Sequence, residues 1–484
     1  MDPALETQAT VSTANTGSLT PLGEGSSPDG RTVVDGTSGD RSTSSSPIEA
    51  LTVASEEFCN PQERQYLWRL MLDLQGNSRS SLEFYRLGKV LGEGSFAKVR
   101  VAWHKLTGQR VAVKTYEKAK IKDKQQWKRI LQEVELMEKL NHPRVIRLFE
   151  TAESSRRIHL VMEYADGGNL CSYVRHKKRL DEGEARRILL QLLEGVEYMH
   201  GLDIVHRDIK LENILLEGGQ RVNAKLVDFG FSADIRRRPL HVFCGTPSYM
   251  APEIIKRQPY EGKPVDIWCL GVVLYAMLCG RFPFIAPNHP DLYKSISKGV
   301  FRLPDCLSSS ANSLIRGILV TDPAKRLTLH QIVVQPWLMQ SRVMYHSVGS
   351  HYRPASVEAG NASSAPLGSN GRERQQQQRG EGARDTGYVA AAFHISSDPR
   401  RDICAESVRR MEAFGVDGAE ITRQVLGRRH SCLTTTLYLL KNELAESTRR
   451  KAHHAIAGAR LAGNSGGAPP VAEQRSRAES TPPQ

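Results

Sequence analysis

Five short stretches of this sequence hold groups that could do chemistry together. Asp208 lies in His206-Arg-Asp208-Ile-Lys210-Leu-Glu-Asn213, which packs an acid, a base and an amide into one turn. Asp228 opens Asp228-Phe-Gly230 after an apolar run and adds a second carboxylate. Oxygen donors such as Asn213 and Asp228 suit Mg²⁺, which takes carboxylate and amide oxygens together with phosphate. Asp208 is then left to orient and deprotonate a hydroxyl. Upstream, Gly92-Glu-Gly94-Ser-Phe-Ala97-Lys-Val99 stands between two apolar runs, where glycines let backbone approach phosphate closely. A G-x-G of this kind equally suits a plain hairpin turn. Lys114 ends the apolar run Val111-Ala-Val-Lys114; it is either an ordinary solvated lysine or a cation for phosphate. Buried, it would need a partner, and Glu133 on the next helical stretch is within range of one. The fifth stretch, PLHVFCGTPSYMAPE, runs from Pro239 to Glu253.

These residues need elements to position them. Alternation between glycine-bearing turns predicts strands over Phe84–Val90, Lys98–Trp103, Arg110–Tyr116 and Ile158–Tyr164. Helical spacing covers Ile130–Leu140 and stops at His142-Pro143. After Gly167-Gly168 the pattern turns helical: Asn169–Val174, Glu182–Met199, Pro264–Cys279, Asp291–Ser297, Ser309–Leu319 and Leu329–Trp337. Strands with one helix first, then mostly helices, predict a two-lobed α+β fold with a cleft between the lobes.

Composition sets the boundaries around that core. Residues 1–57, 345–400 and 447–484 hold too few apolar side chains to offset chain entropy and are expected to be disordered. Residues 83–338 have the size and apolar content of a catalytic domain. Between them, 58–82 contains Glu63–Leu74 (ERQYLWRLMLDL), whose period is helical. Two readings stay open for it: a helix packed on the small lobe, or a free amphipathic helix. The net charge of +13 is spread over short Lys/Arg runs with no RNA-binding or zinc-finger pattern, so a solvated surface is expected and no specific nucleic-acid partner. Eight cysteines without a C-x-x-C pair read as reduced thiols. No signal-peptide pattern opens the chain, and Ile267–Leu278 is too short to span a bilayer, so no transmembrane segment is expected. The expected location is intracellular and cytoplasmic, with the nucleus left open.

Taken in order, the motifs resemble the signature set of the eukaryotic protein kinases: glycine-rich loop, strand lysine, H-R-D, D-F-G and A-P-E. The resemblance covers residues 84–338. It implies ATP and Mg²⁺ as cofactors and Ser/Thr-bearing proteins as substrates. Leu91, Gly92, Gly94, Val99 and Ala112 would line the nucleotide site, with Met162 as gatekeeper before the hinge Glu163-Tyr164-Ala165. Lys114 would contact the α- and β-phosphates and pair with Glu133. Asn213 and Asp228 would hold the metal, and Asp208 would accept the substrate proton. Lys210, two residues after Asp208, is the Ser/Thr-type pattern and would steady the γ-phosphate. Thr246 would line the acceptor site. Glu253 should pair with Arg326, Asp266 should brace the catalytic loop, and Met137, Leu148, His206 and Phe229 should stack as a spine or serve as plain core.

Leu140-Asn-His-Pro143, Val161-Met-Glu-Tyr164 and Phe243-Cys-Gly245 resemble the calcium/calmodulin-kinase group, closest to the AMP-activated and microtubule-affinity-regulating kinases. Ser407–Phe414, Ala419–Leu426 and Cys432–Leu444 predict three short helices, so 403–445 is similar to the ubiquitin-associated domain of those kinases. That domain would dock on the kinase domain rather than bind ubiquitin. It departs from the pattern by starting well beyond residue 338 and by carrying Phe414-Gly-Val416 in its turn. Two further departures bear on activity. Val242 stands where relatives carry a phosphorylated Thr that pairs with the Arg of H-R-D, here Arg207. The loop would then order itself by packing Val242 and Phe243, or use another hydroxyl (Ser232 or Ser248), or depend on a partner. Asn169 and Ala276 replace two acids that read a substrate Arg, while Glu212 remains. A weakened preference for Arg three residues before the acceptor follows. Competing readings are a pseudokinase scaffold, which would lack Lys114, Asp208 or Asp228, and a nucleic-acid adaptor, which lacks a motif.

Overall fold

The computed structural model describes residues 59–74, 81–94, 97–218, 222–236, 240–340 and 399–463. The stretches 1–57, 345–398 and 464–484, together with Ser95 and Phe96 of the glycine-rich turn, lie outside the described residues. Helix α1 (Pro61–Leu74) precedes a small lobe built from β1 (Tyr85–Glu93), β2 (Ala97–His104), β3 (Arg110–Glu117), α2 (Lys124–Lys139), β4 (Leu148–Glu153) and β5 (Arg157–Glu163). The five strands form one antiparallel sheet in the order β1-β2-β3-β5-β4. The large lobe carries α3 (Leu170–Lys177), α4 (Glu182–Gly201), β6 (Ile204–Val205), β7 (Ile214–Glu217), β8 (Asn223–Leu226) and β9 (Ala233–Asp234). It is completed by α5 (Pro252–Ile255), α6 (Gly262–Cys279), α7 (His289–Lys298), α8 (Ser309–Ile318) and α9 (Leu329–Val333). This is the two-lobed α+β architecture that the order of strands and helices predicts.

Differences from the sequence reading have physical causes. Strand β4 went unpredicted, because Leu148–Glu153 carries two glutamates and a threonine among its apolar residues. Glu150 is nevertheless fully buried, accepting from the Tyr85 hydroxyl. Helix α2 begins at Lys124, six residues before the predicted start at Ile130, because the Asp123 carboxylate accepts from the Gln126 N–H at 2.7 Å and caps it. Asn169 is the cap of α3 rather than its first residue. The helix predicted over Leu329–Trp337 breaks at Val334 and Gln335.

Period-two alternation explains what each sheet face does. In β3, Ala112 and Tyr116 join the core that runs between the lobes, whereas Val111 and Val113 point to the opposite face. Much of that outer face is shielded from water, though Leu87 and Val90 of β1 stay exposed at its edge. It is covered by α1 and by three C-terminal helices: α10 (Ala405–Glu412), α11 (Gly418–Leu426) and α12 (Cys432–Gly463). Trp68 of α1 stacks on Phe414 with centroids 4.2 Å apart and planes 7° from parallel. Gly415, at φ +88°, turns the chain after α10 where an L-residue would be strained. Below this, Arg147 of the small lobe pairs with Asp402 at 2.8 Å and lies over the Tyr438 ring at 3.7 Å. The sequence reading ended the helical segment at 445 and expected a disordered tail from 447. Instead α12 runs on through Gly463, since Lys451–Gly463 is alanine-rich and free of proline.

The apolar helix α6 is long and apolar enough to cross a membrane, with mean hydropathy 1.4, but 83% of it is buried inside the large lobe. It is the lobe's central core helix. Helices α4 and α8 pack against it, and α9 packs on α4.

One buried group makes the covered sheet face sensitive to acid. His104 of β2 is fully buried, with Nδ1 3.0 Å from the Thr107 hydroxyl and Nε2 3.4 Å from that of Thr436 in α12. Burial pushes its pKa down to about 3. The folded form keeps the ring neutral while the unfolded chain takes up a proton below about pH 6.5. Stability is therefore present above that pH and is lost as pH falls, by roughly 2 kcal/mol between pH 7.5 and 5. Urea unfolding across that range should show this loss, and His104→Asn should flatten the slope by about the same amount.

Candidate active site

Lys114 sits near the middle of β3, where the register sets it opposite Val99 on β2 and Leu160 on β5. Its Nζ donates to Glu133 Oε1 at 2.7 Å and to Asp228 Oδ1 at 3.0 Å. Glu133 comes from α2, and its second oxygen accepts from the Tyr116 hydroxyl at 2.7 Å. Burial alone would lower the pKa of Lys114, yet the two carboxylates hold it well above the ordinary lysine range. In return, Lys114 holds the Asp228 carboxyl down at about 2. A single ammonium thus ties helix α2, strand β3 and the loop after β8.

Asp208 is nearly fully buried and collects donors on both oxygens. Oδ2 accepts from Lys210 Nζ at 2.7 Å and from Asn213 Nδ2 at 3.0 Å. Oδ1 accepts from the Thr246 hydroxyl at 2.9 Å and from its N–H at 3.2 Å. Lys210 Nζ also lies 2.9 Å from the Thr246 hydroxyl. Asn213 turns its N–H groups toward Asp208, which leaves the carboxamide oxygen as its donor atom for a cation. Asn213 O accepts from the Val227 N–H at 3.0 Å, so the two metal-ligand positions are braced by adjacent backbone.

The catalytic turn is held from below by Asp266, the one acid within the apolar stretch Val265–Met277 of α6. Its carboxylate accepts from the backbone N–H groups of His206 at 2.9 Å and Arg207 at 2.8 Å, and contacts His200 Nε2 at 2.8 Å. Burial acts to raise its pKa, but the His200 hydrogen bond and the nearby imidazoles bring it below the ordinary value. Arg207 and Asp228 both have positive φ, 64° and 67°. Such conformations cost about 1–3 kcal/mol each and persist only where the surroundings fix them.

The remaining expected positions fall around the same cleft. His206 stacks at a tilt on Phe229 at 5.2 Å, and Met137 and Leu148 are buried in the same core. Glu253 and Arg326 form a bidentate pair at 2.7 and 2.9 Å. Ala112 and Met162 are paired across β3 and β5, and Glu163 N–H donates to Arg147 O at 2.9 Å. Ala165 is buried just beyond. Leu91 is exposed on β1, and Gly92 pairs with Val99 in register. A Cβ on Gly92 would meet nothing within 4 Å, so open space lies over the turn. The structure joins Lys114, Glu133 and Asp228 in one contact network and Asp208, Lys210, Asn213 and Thr246 in another, while Gly92, Val99, Ala112 and Met162 are placed by strand register. For the cofactors the resemblance implies, the donor set fits: two hard oxygen ligands, a buried ammonium and an open glycine turn are what Mg²⁺ and a polyphosphate require. Among the described residues no cluster of three or more His, Cys, Asp or Glu could hold a metal by itself.

Sequence reasoning missed Tyr116 and Tyr260. Tyr260 accepts from Arg207 Nη1 at 3.3 Å and donates to the Val242 carbonyl at 2.9 Å. Nothing in its own segment, Gln258-Pro-Tyr-Glu261, signals that role. Val242 itself is half exposed, and Ser232 is buried with its hydroxyl 3.4 Å from His206 O.

Comparison with known proteins comes to the same cleft. The family profile described as the protein kinase domain matches residues 85–338. The serine/threonine protein kinase OSK4 of Oryza sativa subsp. indica is 43% identical over 270 residues, which is 54% of this chain and 53% of that protein. The SNF1-related protein kinase catalytic subunit alpha KIN12 of Arabidopsis thaliana is 43% identical over 270 residues, 56% of this chain and 54% of that protein. The serine/threonine-protein kinase SIK1 of Rattus norvegicus is 43% identical over 256 residues, 53% of this chain and 33% of that protein. The chain thus spans about half the length of the plant relatives it matches, and less of the rat one.

The charge coupling at Lys114 is directly measurable. Lys114→Met removes the cation that holds Asp228 ionised, so its carboxyl titration should rise from about 2 to at least the usual carboxylate range near 4. Carbon-detected NMR of the carboxyl carbon in both proteins checks this, and an unmoved titration would disprove the coupling.

Proposed function

The chain belongs to the protein kinase family, and from that premise we propose that it is an active serine/threonine protein kinase whose activation loop orders without phosphate at residue 242. The observation that carries this reading is the convergence on Asp208. Its carboxylate faces the cleft with Lys210 and Thr246 as its neighbours, while the Lys114–Glu133 and Lys114–Asp228 pairs are both closed. These are the parts that must be in place together for phosphoryl transfer. A scaffold that had lost catalysis would have no need to keep all of them.

In this reading Asp208 takes the proton of the acceptor hydroxyl, and Lys210 steadies the phosphate under attack. Lys114, fixed by Glu133, orients the inner phosphates. Thr246 shapes the acceptor site through its contacts with Asp208. Mg²⁺ at Asn213 and Asp228 would neutralise charge on the phosphates. Support for phosphate-independent ordering comes from the loop's own contacts. Phe243 meets Tyr293 edge-on at 6.1 Å and lies under Arg257 at 4.9 Å. Leu240 and Tyr260 exchange backbone hydrogen bonds at 3.2 and 2.9 Å. Of the two alternative phosphate acceptors, Ser232 is buried, whereas Ser248 is half-buried and stays the competing site.

Substrate choice follows from the acids that are missing. Asn169 spends its carboxamide on the Ser172 N–H at 2.8 Å, and Ala276 is buried in α6. Glu212 alone is left to meet a substrate arginine. Residues 399–463 act, on this reading, as an intramolecular partner of the small lobe. The supporting contacts are the Trp68–Phe414 stack and the Arg147–Asp402 pair.

Three experiments test these readings. Full-length chain made in bacteria and treated with phosphatase should transfer phosphate from Mg-ATP to a Ser/Thr substrate, with Asp208→Asn at least about a hundredfold slower. Peptides with and without Arg three residues before the acceptor should differ by less than about fivefold, roughly 1 kcal/mol. Activity equal in the two proteins, or none in either, would reject the reading. For the docked helices, Trp68→Ala should cost about 2–4 kcal/mol of stability and speed protease cleavage within 399–463. Unchanged cleavage would mean that the stack does not hold them.

A further inference from the structure

Tyr260 makes four contacts that converge on one place. Its backbone N–H and C=O pair with Leu240. Its hydroxyl accepts from the Arg207 guanidinium at 3.3 Å and donates to the Val242 carbonyl at 2.9 Å, with Cys244 Sγ at 4.0 Å. Arg207 in turn donates through Nε to the Phe231 carbonyl at 2.6 Å. A hydroxyl can accept and donate at once, so three hydrogen bonds form a continuous chain from Phe231 through Arg207 and Tyr260 to Val242. That chain closes the loop on itself. Phe231 belongs to its first arm, three residues after Asp228, and Val242 to its second arm, four residues before Thr246.

We propose that Tyr260 is a positioning residue for the transfer step, acting through Arg207: its hydroxyl bridges the guanidinium to the Val242 carbonyl and so holds Thr246 against Asp208. The inference rests on the kinase reading above and adds to it the group that does the work a loop phosphate cannot do here. The geometry favours a neutral bridge. The Arg207 guanidinium is mostly buried and already donates to the Phe231 carbonyl and the Tyr260 hydroxyl, so swinging out to solvent for a new partner would break both hydrogen bonds. Tyr260 is itself buried, and burial is the main cause that raises its phenol pKa, so the hydroxyl keeps the proton it donates. The charges facing it are few. Arg207 is in contact, Cys244 is a buried thiol with a raised pKa, and the Asp208 carboxylate is committed to Lys210, Asn213 and Thr246.

The test is Tyr260→Phe in the full chain, which deletes the hydroxyl and leaves the ring and the Leu240 pairing. The proposal expects kcat to fall about tenfold, the size of a lost hydrogen bond to a charged group. The KM for ATP should move less than about twofold, since the Lys114 side of the cleft is untouched. Because the residue acts through Arg207, Tyr260→Phe combined with Arg207→Ala should be no slower than Arg207→Ala alone. Where Arg207→Ala does not fold, Arg207→Lys replaces it. Losses that multiply to about a hundredfold, or a Tyr260→Phe rate equal to the parent, overturn the proposal. A second readout does not need activity: amide hydrogen exchange across 240–246 should accelerate in Tyr260→Phe and stay unchanged in α2 and β3. Unaccelerated exchange overturns the proposal even if the parent chain transfers no phosphate, whereas accelerated exchange in an inactive parent supports it while rejecting the kinase reading.

Discussion

The Asp266 carboxylate is the constraint on which the site depends. It sits on the most apolar helix of the large lobe and is wholly buried. A carboxylate there is tolerable only if its lone pairs are taken, and the donors that take them are two consecutive backbone N–H groups of the catalytic turn and the His200 ring. The desolvation cost of one charge is thereby converted into a fixed position for His206 and Arg207. Asp208 follows directly, with its side chain aimed at the cleft. The strained φ of Arg207 is a consequence: an unfavourable backbone state is held because relaxing it would leave a buried carboxylate with open lone pairs.

The second constraint crosses between the lobes. Lys114 belongs to the sheet, Glu133 to α2 and Asp228 to the large lobe, and one ammonium satisfies both acids. Lys114 and Glu133 are mostly buried and would be costly to leave unpaired, and the same ammonium holds the half-exposed Asp228 carboxylate. The sheet can bring its lysine to the cleft because β3 is packed on its other face. Val111 and Val113 anchor β3 against α1 and the C-terminal helices, so alternation leaves Ala112 and Lys114 no other direction.

Much of this was legible in the chain. The order of strands and helices gave the two lobes, and the succession of motifs around Asp208, Asn213 and Asp228 suggested one site through its resemblance to a known family, since each motif sits on a tight turn whose geometry is local. What failed to show was non-local. Strand β4 is hidden by Glu150, which a propensity count reads as exposed. Its burial makes sense only beside Tyr85, sixty-five residues earlier. Tyr260 left no trace either, since a lone tyrosine before a helix has no spacing to read and gains meaning only when the fold carries Arg207 and Val242 to it. The end of α12 was misjudged for the opposite reason. Local helix propensity prevailed where a low apolar content had suggested disorder.

The absence of a hydroxyl at residue 242 changes what can control the loop. A loop held by a phosphate on an arginine can be switched by removing the phosphate. On the proposed reading, a loop held by Phe243 against Tyr293 and by backbone pairing of Leu240 with Tyr260 would offer no such handle at residue 242. Control would have to enter where the fold still has separable pieces, and the outer face of the sheet is the clearest of them. Arg147 is the junction. Its guanidinium binds Asp402 and lies over Tyr438, while its backbone carbonyl accepts from Glu163 at the start of the hinge. Withdrawing the C-terminal helices would leave Arg147 without its acid and its ring, one residue from Leu148 in the interlobe core. The lever arm is short, and it acts on the nucleotide side of the cleft rather than on the acceptor side that the loop governs.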